Sequence, residues 1–229
     1  MIVLAIDSSS SAACAAVVTD GKLLCEYTQN QNKTHSVKML PMVEQMLSDV
    51  GLTFSDIDVF ACGIGPGSFT GVRIGAATFR GIADTLDKPC VAVNALEALG
   101  SAVKDFSRTV MPLIFARENE CYAAAYEEGT QILAPCVMTV EEIIEFAKDK
   151  NVLFVGDGSE INHERLASLP DAHFANCLHS IIRAAVIADI AYNKALNNET
   201  GNSEVFAPLY LRKSQAEREY DEKHKSEEK

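Results

Sequence analysis

Positive charge is scarce in this chain: 20 lysines and arginines stand against 32 aspartates and glutamates, for a net charge of −12 over 229 residues. Nucleic-acid affinity rests on basic side chains neutralising phosphates, so a chain this acidic is poorly suited to hold a phosphate backbone by itself. Metal-site patterns are also missing. The five histidines include no i, i+4 pair and no H-E-x-x-H, and no metal site is expected. The seven cysteines (Cys14, Cys25, Cys62, Cys90, Cys121, Cys136, Cys177) are odd in number, contain no C-x-x-C and sit mostly in apolar segments. Buried thiols are expected, not disulfides or zinc. No apolar run approaches the ~20 residues of a membrane helix, and the chain opens on Ile2–Ile6 without a basic stretch before it. A cytoplasmic protein with no membrane partner and no signal peptide is expected. A serine nucleophile fails too, because in Gly67-Ser68-Phe69-Thr70-Gly71 the serine directly follows the glycine, unlike G-x-S-x-G. No catalytic residue emerges.

Hydrophobic residues make up 48% of the chain, enough for a proper core in one large domain or two small lobes. Alternation and turn signals place strands at Ile2–Asp7, Ala12–Val18 and Leu23–Gln29, the last two joined by an Asp20-Gly21 hairpin. A helix from about Thr34 to Val50 follows, closed by Gly51. Then come a strand at Val59–Ile64, a helix at Val72–Leu86, a strand at Cys90–Val93 and a helix over about Ala95–Phe106. The order is β-β-β-α-β-α-β-α. It recurs in outline: strands at Val110–Ala116, Cys121–Tyr126 and Gln131–Met138, a helix near Val140–Lys148, a strand at Val152–Val155 and a helix from about Ser180 to Leu196. The boundaries read as a first lobe at 1–102, a second at 103–205, a closing segment at 206–212 that packs back, and a charged tail at 213–229.

Three motifs could carry chemistry. Gly65-Pro66-Gly67-Ser68-Phe69-Thr70-Gly71-Val72-Arg73-Ile74-Gly75 joins a strand to a helix, where free N–H groups can hold an anion. It lacks the lysine of a phosphate loop, and its third glycine, Gly71, falls one position beyond the dinucleotide pattern. A close-packed turn and a phosphate cradle both remain open. Asp7-Ser8-Ser9-Ser10-Ser11 ends the first strand and suits either a hydrated Mg²⁺ with phosphates or a serine turn capped by its own aspartate. Gly156-Asp157-Gly158 follows a strand and reads as a turn or a phosphate clamp. Candidate phosphate-binding residues are therefore Asp7, Ser8, Gly65, Gly67, Ser68, Thr70, Gly156 and Asp157.

The first two helices offer a candidate docking surface. Val37, Leu40, Val43, Leu47 and Val50 make one apolar stripe on the first helix, while Met39, Met42 and Met46 make a second that something else would cover. Burial between two layers of the same fold is the competing reading. The second helix is rich in small residues (Gly71, Gly75, Ala76, Ala77, Gly81), which implies close approach of another backbone. Together with His35, Arg73 and Phe79, these residues form the expected partner interface.

Taken as a set, the chain resembles the TsaB (YeaZ) family of tRNA threonylcarbamoyladenosine biosynthesis. The matching residues are Leu4-Ala5-Ile6-Asp7-Ser8-Ser9, His35-Ser36, Leu40-Pro41, Gly65 to Gly75, Val93-Asn94-Ala95-Leu96-Glu97-Ala98-Leu99, Gly156-Asp157-Gly158 and Pro208-Leu209-Tyr210-Leu211-Arg212. They span nearly the whole chain. The departures are Ser8, where threonine is frequent, and Phe115-Ala116-Arg117, where Asp-Ala-Arg is usual. The resemblance implies an α/β, two-lobed actin-like ATPase (ribonuclease H-like) fold with a duplicated β-β-β-α-β-α-β-α core. It also implies a pseudoenzyme that partners a TsaD-type catalytic subunit. The related catalytic subunit starts its third helix with N-H-x-x-x-H, whereas Ala95 and Leu99 stand there in this chain. The implied contacts are a TsaE-type ATPase through the complex, tRNA only indirectly, and a second copy when the chain is alone. No cofactor of its own is implied, with ATP and Mg at the level of the complex. A working phosphotransferase or ATPase of the same fold is the alternative.

Overall fold

A computed structural model describes residues 1–30, 35–103 and 107–212, with backbone alone for 35–37. The expected tail at 213–229 lies outside the described residues.

The first half begins as a three-stranded meander, β1 (Ile2–Asp7), β2 (Ala12–Thr19) and β3 (Lys22–Asn30). Asp20 and Gly21, with φ of 48° and 73°, form the expected tight hairpin turn. Then follow α1 (His35–Asp49), β4 (Val59–Gly63), α2 (Phe69–Leu86), β5 (Cys90–Val93) and α3 (Ala95–Val103). The C-terminus of α1 closes on Gly51, φ 70°, with the Leu52 N–H donating to the Leu47 carbonyl. α2 starts three residues earlier than its apolar pattern indicates, because Ser68 Oγ accepts from the Gly71 N–H as an N-cap.

The second half repeats the plan with β6 (Thr109–Arg117), β7 (Glu120–Glu127), β8 (Thr130–Thr139), α4 (Val140–Ala147) and β9 (Val152–Val155). Short helices α5 (Asp157–Ile161) and α6 (His163–Leu166), strand β10 (Ala172–Phe174) and helix α7 (Ala184–Leu196) complete it. The two sheets run β3-β2-β1-β4-β5 and β8-β7-β6-β9-β10. In each, the meander is antiparallel and the last two strands join in parallel. The identical order in both sheets is the duplicated, two-lobed actin-like architecture.

Two expectations need correction. α7 begins at Ala184, not near Ser180, because Arg183 has extended backbone and residues 177–179 form a separate 3-10 turn. The second-lobe range of 103–205 also fails, since the two halves exchange their last helices. α3 packs on β6 and β7, while α7 packs on β1, β2, β4 and β5. One core therefore runs through both halves, joining Val3, Ala61 and Val93 to Leu96, Leu99, Ile114, Tyr122 and Ile187. The closing residues return to the first half as expected: Leu209 N–H donates to the Ile64 carbonyl at 2.8 Å, and Phe206 is buried against Phe79.

On the far face of the first sheet, α1 and α2 cover Leu4, Ile6, Ala15 and Val17. Here the docking expectation is overturned for the methionines. Met39, Met42 and Met46 are at most 6% exposed and form the core face of α1 with Val43 and Leu47. Leu40, assigned to the core stripe from the sequence, is 38% exposed. Positions 39, 42, 43, 46 and 47 make one i, i+3, i+4, i+7, i+8 face, and the flexible methionines fill the uneven gap above the sheet.

Candidate functional site

The glycine-rich turn and the serine turn meet. Asp7, at the end of β1, is fully buried, with its carboxylate oxygens accepting from Ser9 N (3.0 Å) and Ser9 Oγ (2.9 and 3.0 Å). The carboxylate lies against Gly63, where a Cβ would collide with Oδ2. The following serines fill the space in front of α2: Ser68 N donates to the Ser9 carbonyl at 2.7 Å, and Ser8 Oγ donates to the Gly71 carbonyl at 2.8 Å. A side chain on Gly67 or Gly71 would collide with the Ser9 or Ser8 carbonyl oxygen, and one on Gly75 would crowd Ser8 Oγ. These glycines are required by the chain's own β1–β2 turn. Gly65, φ 88°, turns beside Val72 and receives the Ala95 N–H on its carbonyl at 2.8 Å.

A cleft of 280 Å³ opens between the two halves. Ser9, Ser10 and Pro66 line it from the first half, and Asp157 and Glu160 from α5. Asp157 Oδ1 accepts from the Phe115 N–H at 2.9 Å. Burial, opposed by backbone hydrogen bonds and aided by the Glu160 charge, pushes its carboxyl above the ordinary aspartate value. Gly156, φ 103°, sits against the Leu113 carbonyl, so the Gly156–Gly158 turn is wedged onto β6. Ser68 and Thr70 are exposed on the first turn of α2 and take no part in the cleft lining.

The expected interface residues separate. Gly71, Gly75 and Phe79 are buried with the methionines, and Phe79 packs edge-on against Phe60 at 5.3 Å, so none of them faces outward as expected. Arg73 is exposed. Its Nε donates to the Tyr210 hydroxyl at 2.7 Å, and its guanidinium lies over the Tyr210 ring, which stacks on Phe69 with centroids 4.9 Å apart. His35 opens α1, but its side chain lies outside the described residues. The outer face of α2 is thus Thr70, Arg73, Ala77, Gly81 and Asp84, beside exposed Leu40, Pro41 and Glu44 on α1.

Several contributors were missed from the sequence. Phe69 and Tyr210 are distant in the chain, and only the apolar closing segment hinted at their contact. Glu26 reaches from β3 to pair with Arg183 and to accept from the Ala185 N–H at 3.0 Å, capping α7 from another element. Among the described residues, no three His, Cys, Asp or Glu side chains stand together as a metal site. No helix there is long and apolar enough to cross a membrane.

Residues 22–220 match the family model TsaD, tRNA N6-adenosine threonylcarbamoyltransferase. The chain is 28% identical to the tRNA threonylcarbamoyladenosine biosynthesis protein TsaB of Bacillus subtilis, over 98% of its own length and 100% of that protein's. Among solved structures, YeaZ from Pseudomonas aeruginosa superposes with a TM-score of 0.76 at 29% identity, covering 92% of this chain and 99% of that one. A dehydratase activator from Clostridium difficile shares the fold alone, with a TM-score of 0.54 at 11% identity over 87% and 96% of the two chains. The buried serine turn, the glycine turn that encloses it and the paired sheets fit this kinship: the chain belongs to the TsaD threonylcarbamoyltransferase family, in its TsaB (YeaZ) group.

Proposed function

We propose that this chain is a non-catalytic subunit in the formation of N6-threonylcarbamoyladenosine in tRNA, binding and supporting a TsaD-type catalytic subunit. One observation carries the reading. Ala95 and Leu99, at the positions where the resemblance implies two metal-binding histidines, are 0% and 1% exposed and belong to the shared core. Neither side chain has an atom that can ligate a metal.

The residues also do not fit a nucleoside triphosphate held by this chain alone. The space in front of α2 is filled by the Ser8 and Ser9 backbone, and the Asp7 carboxylate is engaged by Ser9. The cleft wall carries Asp157 and Glu160 with no lysine or arginine among its described residues. We place ATP and Mg at the level of the assembled complex, where a TsaE-type ATPase joins through the catalytic subunit. A net charge of −12 leaves the tRNA to that partner as well.

The partner meets the outer faces of α1 and α2. Gly81 supports this placement: it is exposed in mid-helix, and a Cβ there would meet nothing within 4 Å. Such a glycine costs about 1 kcal/mol relative to alanine in the lone chain and gains its use when another backbone approaches. Alone, the chain covers the same face with a second copy. The test is reconstitution. The chain by itself should transfer no threonylcarbamoyl group, should form a stable complex with its TsaD-type subunit, and should raise that subunit's output. Mg-ATP turnover by the lone chain, lost in Asp7→Ala, would instead establish a phosphotransferase or ATPase.

A further inference from the structure

One cation on the outward face of α2 is held in place before any partner arrives. Arg73 is exposed near the start of the helix, and its Nε donates to the Tyr210 hydroxyl at 2.7 Å. Its guanidinium carbon lies 5.5 Å from the centroid of the Tyr210 ring and 6.0 Å from that of Phe69, and the two rings stack at an interplanar angle of 11°. Tyr210 is fixed in turn by its main chain, because the neighbouring Leu209 N–H donates to the Ile64 carbonyl at 2.8 Å. A free arginine has several rotatable bonds to immobilise on binding, and these contacts restrain them in the lone chain. The closing segment is thus part of the outward surface, although it comes from the other end of the chain.

What the clasp leaves unused narrows the occupant. Among the described residues, no hydrogen bond or ion pair engages Nη1 and Nη2 of Arg73. Arg80, the other arginine of α2, lies 3.9 Å from Asp84, so its charge is balanced locally. With Nε committed to Tyr210, the two terminal nitrogens of Arg73 remain as a fork that matches both oxygens of a carboxylate. A nucleic-acid backbone is a poorer match, since its affinity comes from several cations acting together and this chain carries a net charge of −12. Ala77 and Gly81 follow Arg73 at i+4 and i+8 on the same exposed stripe, so a backbone approaching them brings its side chains within reach of the fork.

We propose that Phe69, Arg73 and Tyr210 form a preorganised receptor for a carboxylate side chain of the TsaD-type subunit. Arg73 is the binding residue, and Phe69 and Tyr210 are positioning residues. The assignment rests on the proposed docking of that subunit against α2, and it adds the closing segment to the docking surface.

Calorimetry of the full chain with the TsaD-type subunit tests this at about 0.1 and about 1 M salt, between which the screening length falls from about 10 to about 3 Å. Wild type should bind more weakly at the higher salt. Arg73→Gln should raise Kd at the lower salt by about tenfold and lose most of that salt dependence. Arg73→Lys should recover only part of the loss, because an ammonium cannot meet both oxygens in one plane. Tyr210→Phe keeps the ring stack but removes the acceptor for Nε; it should raise Kd about threefold in the wild-type background and leave Kd unchanged in Arg73→Gln. Gly81→Leu reports separately on docking. Equal Kd for wild type and Arg73→Gln, with Gly81→Leu still weakened, overturns the receptor and leaves the docking face standing. No complex with wild type overturns both. Wild-type affinity that ignores salt overturns the receptor without any variant. An Arg73→Gln effect on self-association of the lone chain but not on the heterocomplex would give the clasp to a second copy and overturn it too.

Discussion

Substituting Gly71 with alanine should cost the lone chain most of a helix–turn junction. A Cβ at that position would sit 1.9 Å from the Ser8 carbonyl oxygen and 3.0 Å from its carbonyl carbon. The obstacle is backbone in the turn after β1, held on one side by Asp7 and on the other by the Ser9–Ser68 hydrogen bond, so it cannot rotate away. Relief requires that turn and the start of α2 to separate by about 1 Å, an overpacking strain of about 1–3 kcal/mol. The shift lengthens the Ser8 Oγ–Gly71 and Ser68 N–Ser9 hydrogen bonds, now 2.8 and 2.7 Å, at about 1 kcal/mol each. A total near 3–5 kcal/mol follows, or about 6–20 °C in Tm for a chain of this size. Gly81→Ala is the internal control. It meets nothing within 4 Å and should raise stability by about 0.5–1 kcal/mol. Urea denaturation of the isolated protein measures both. A Gly71→Ala midpoint equal to wild type would refute the reading of this glycine as space made for the serine turn.

Met42→Glu should destabilise the lone chain by about 3 kcal/mol or more, because it buries a charge beneath α1, as thermal melts would show. Glu26→Gln should lower stability by about 1–2 kcal/mol by weakening the cap on α7 and the Arg183 pair, with the urea midpoint as the readout. Asp157→Asn should raise Tm at neutral pH while keeping an acceptor for the Phe115 N–H. The folded carboxyl is shifted upward, so the folded chain binds more protons than the unfolded one just above the ordinary aspartate value, and stability falls as pH rises through that window. The variant's advantage should vanish at pH 3, where both states carry a protonated aspartate. Thiol titration of native protein should show fast reaction at exposed Cys177, removed in Cys177→Ser. Cys14, Cys62, Cys90 and Cys121 should react only on unfolding, since burial raises all four thiols, Cys90 to about 11 and Cys121 to about 12.

Local signals carried much of the fold into the sequence. Asp20-Gly21 and Gly51 mark a turn and a helix end through chemistry that acts within a few residues, and the strand patterns near them were readable for the same reason. The Ser68 cap was not legible in the apolar pattern, which starts the helix at Val72 instead of Phe69. Which stripe of α1 faces inward was not readable. Both stripes are apolar at helical spacing, and the choice is made by the sheet beneath, where Leu4, Ile6 and Val17 leave an irregular surface that methionine fits. The exchange of α3 and α7 between the halves is a packing outcome with no local signature. α5 and α6 are too short to show a period. Within the site, Asp7, Gly67 and Gly71 stood out by residue type, but their mutual closeness came from two turns meeting across about sixty residues of chain.

The central claim is that this chain acts through the outward face of α2. The direct measurement is the affinity of the proposed TsaD-type partner for wild type and for Gly81→Leu, each checked by melting to be folded. A Cβ at this exposed position meets nothing within 4 Å in the lone chain, so the fold should be kept, while the backbone approach that leucine blocks should raise Kd at least tenfold, about 1.4 kcal/mol. An unchanged Kd would place the partner elsewhere and contradict the account.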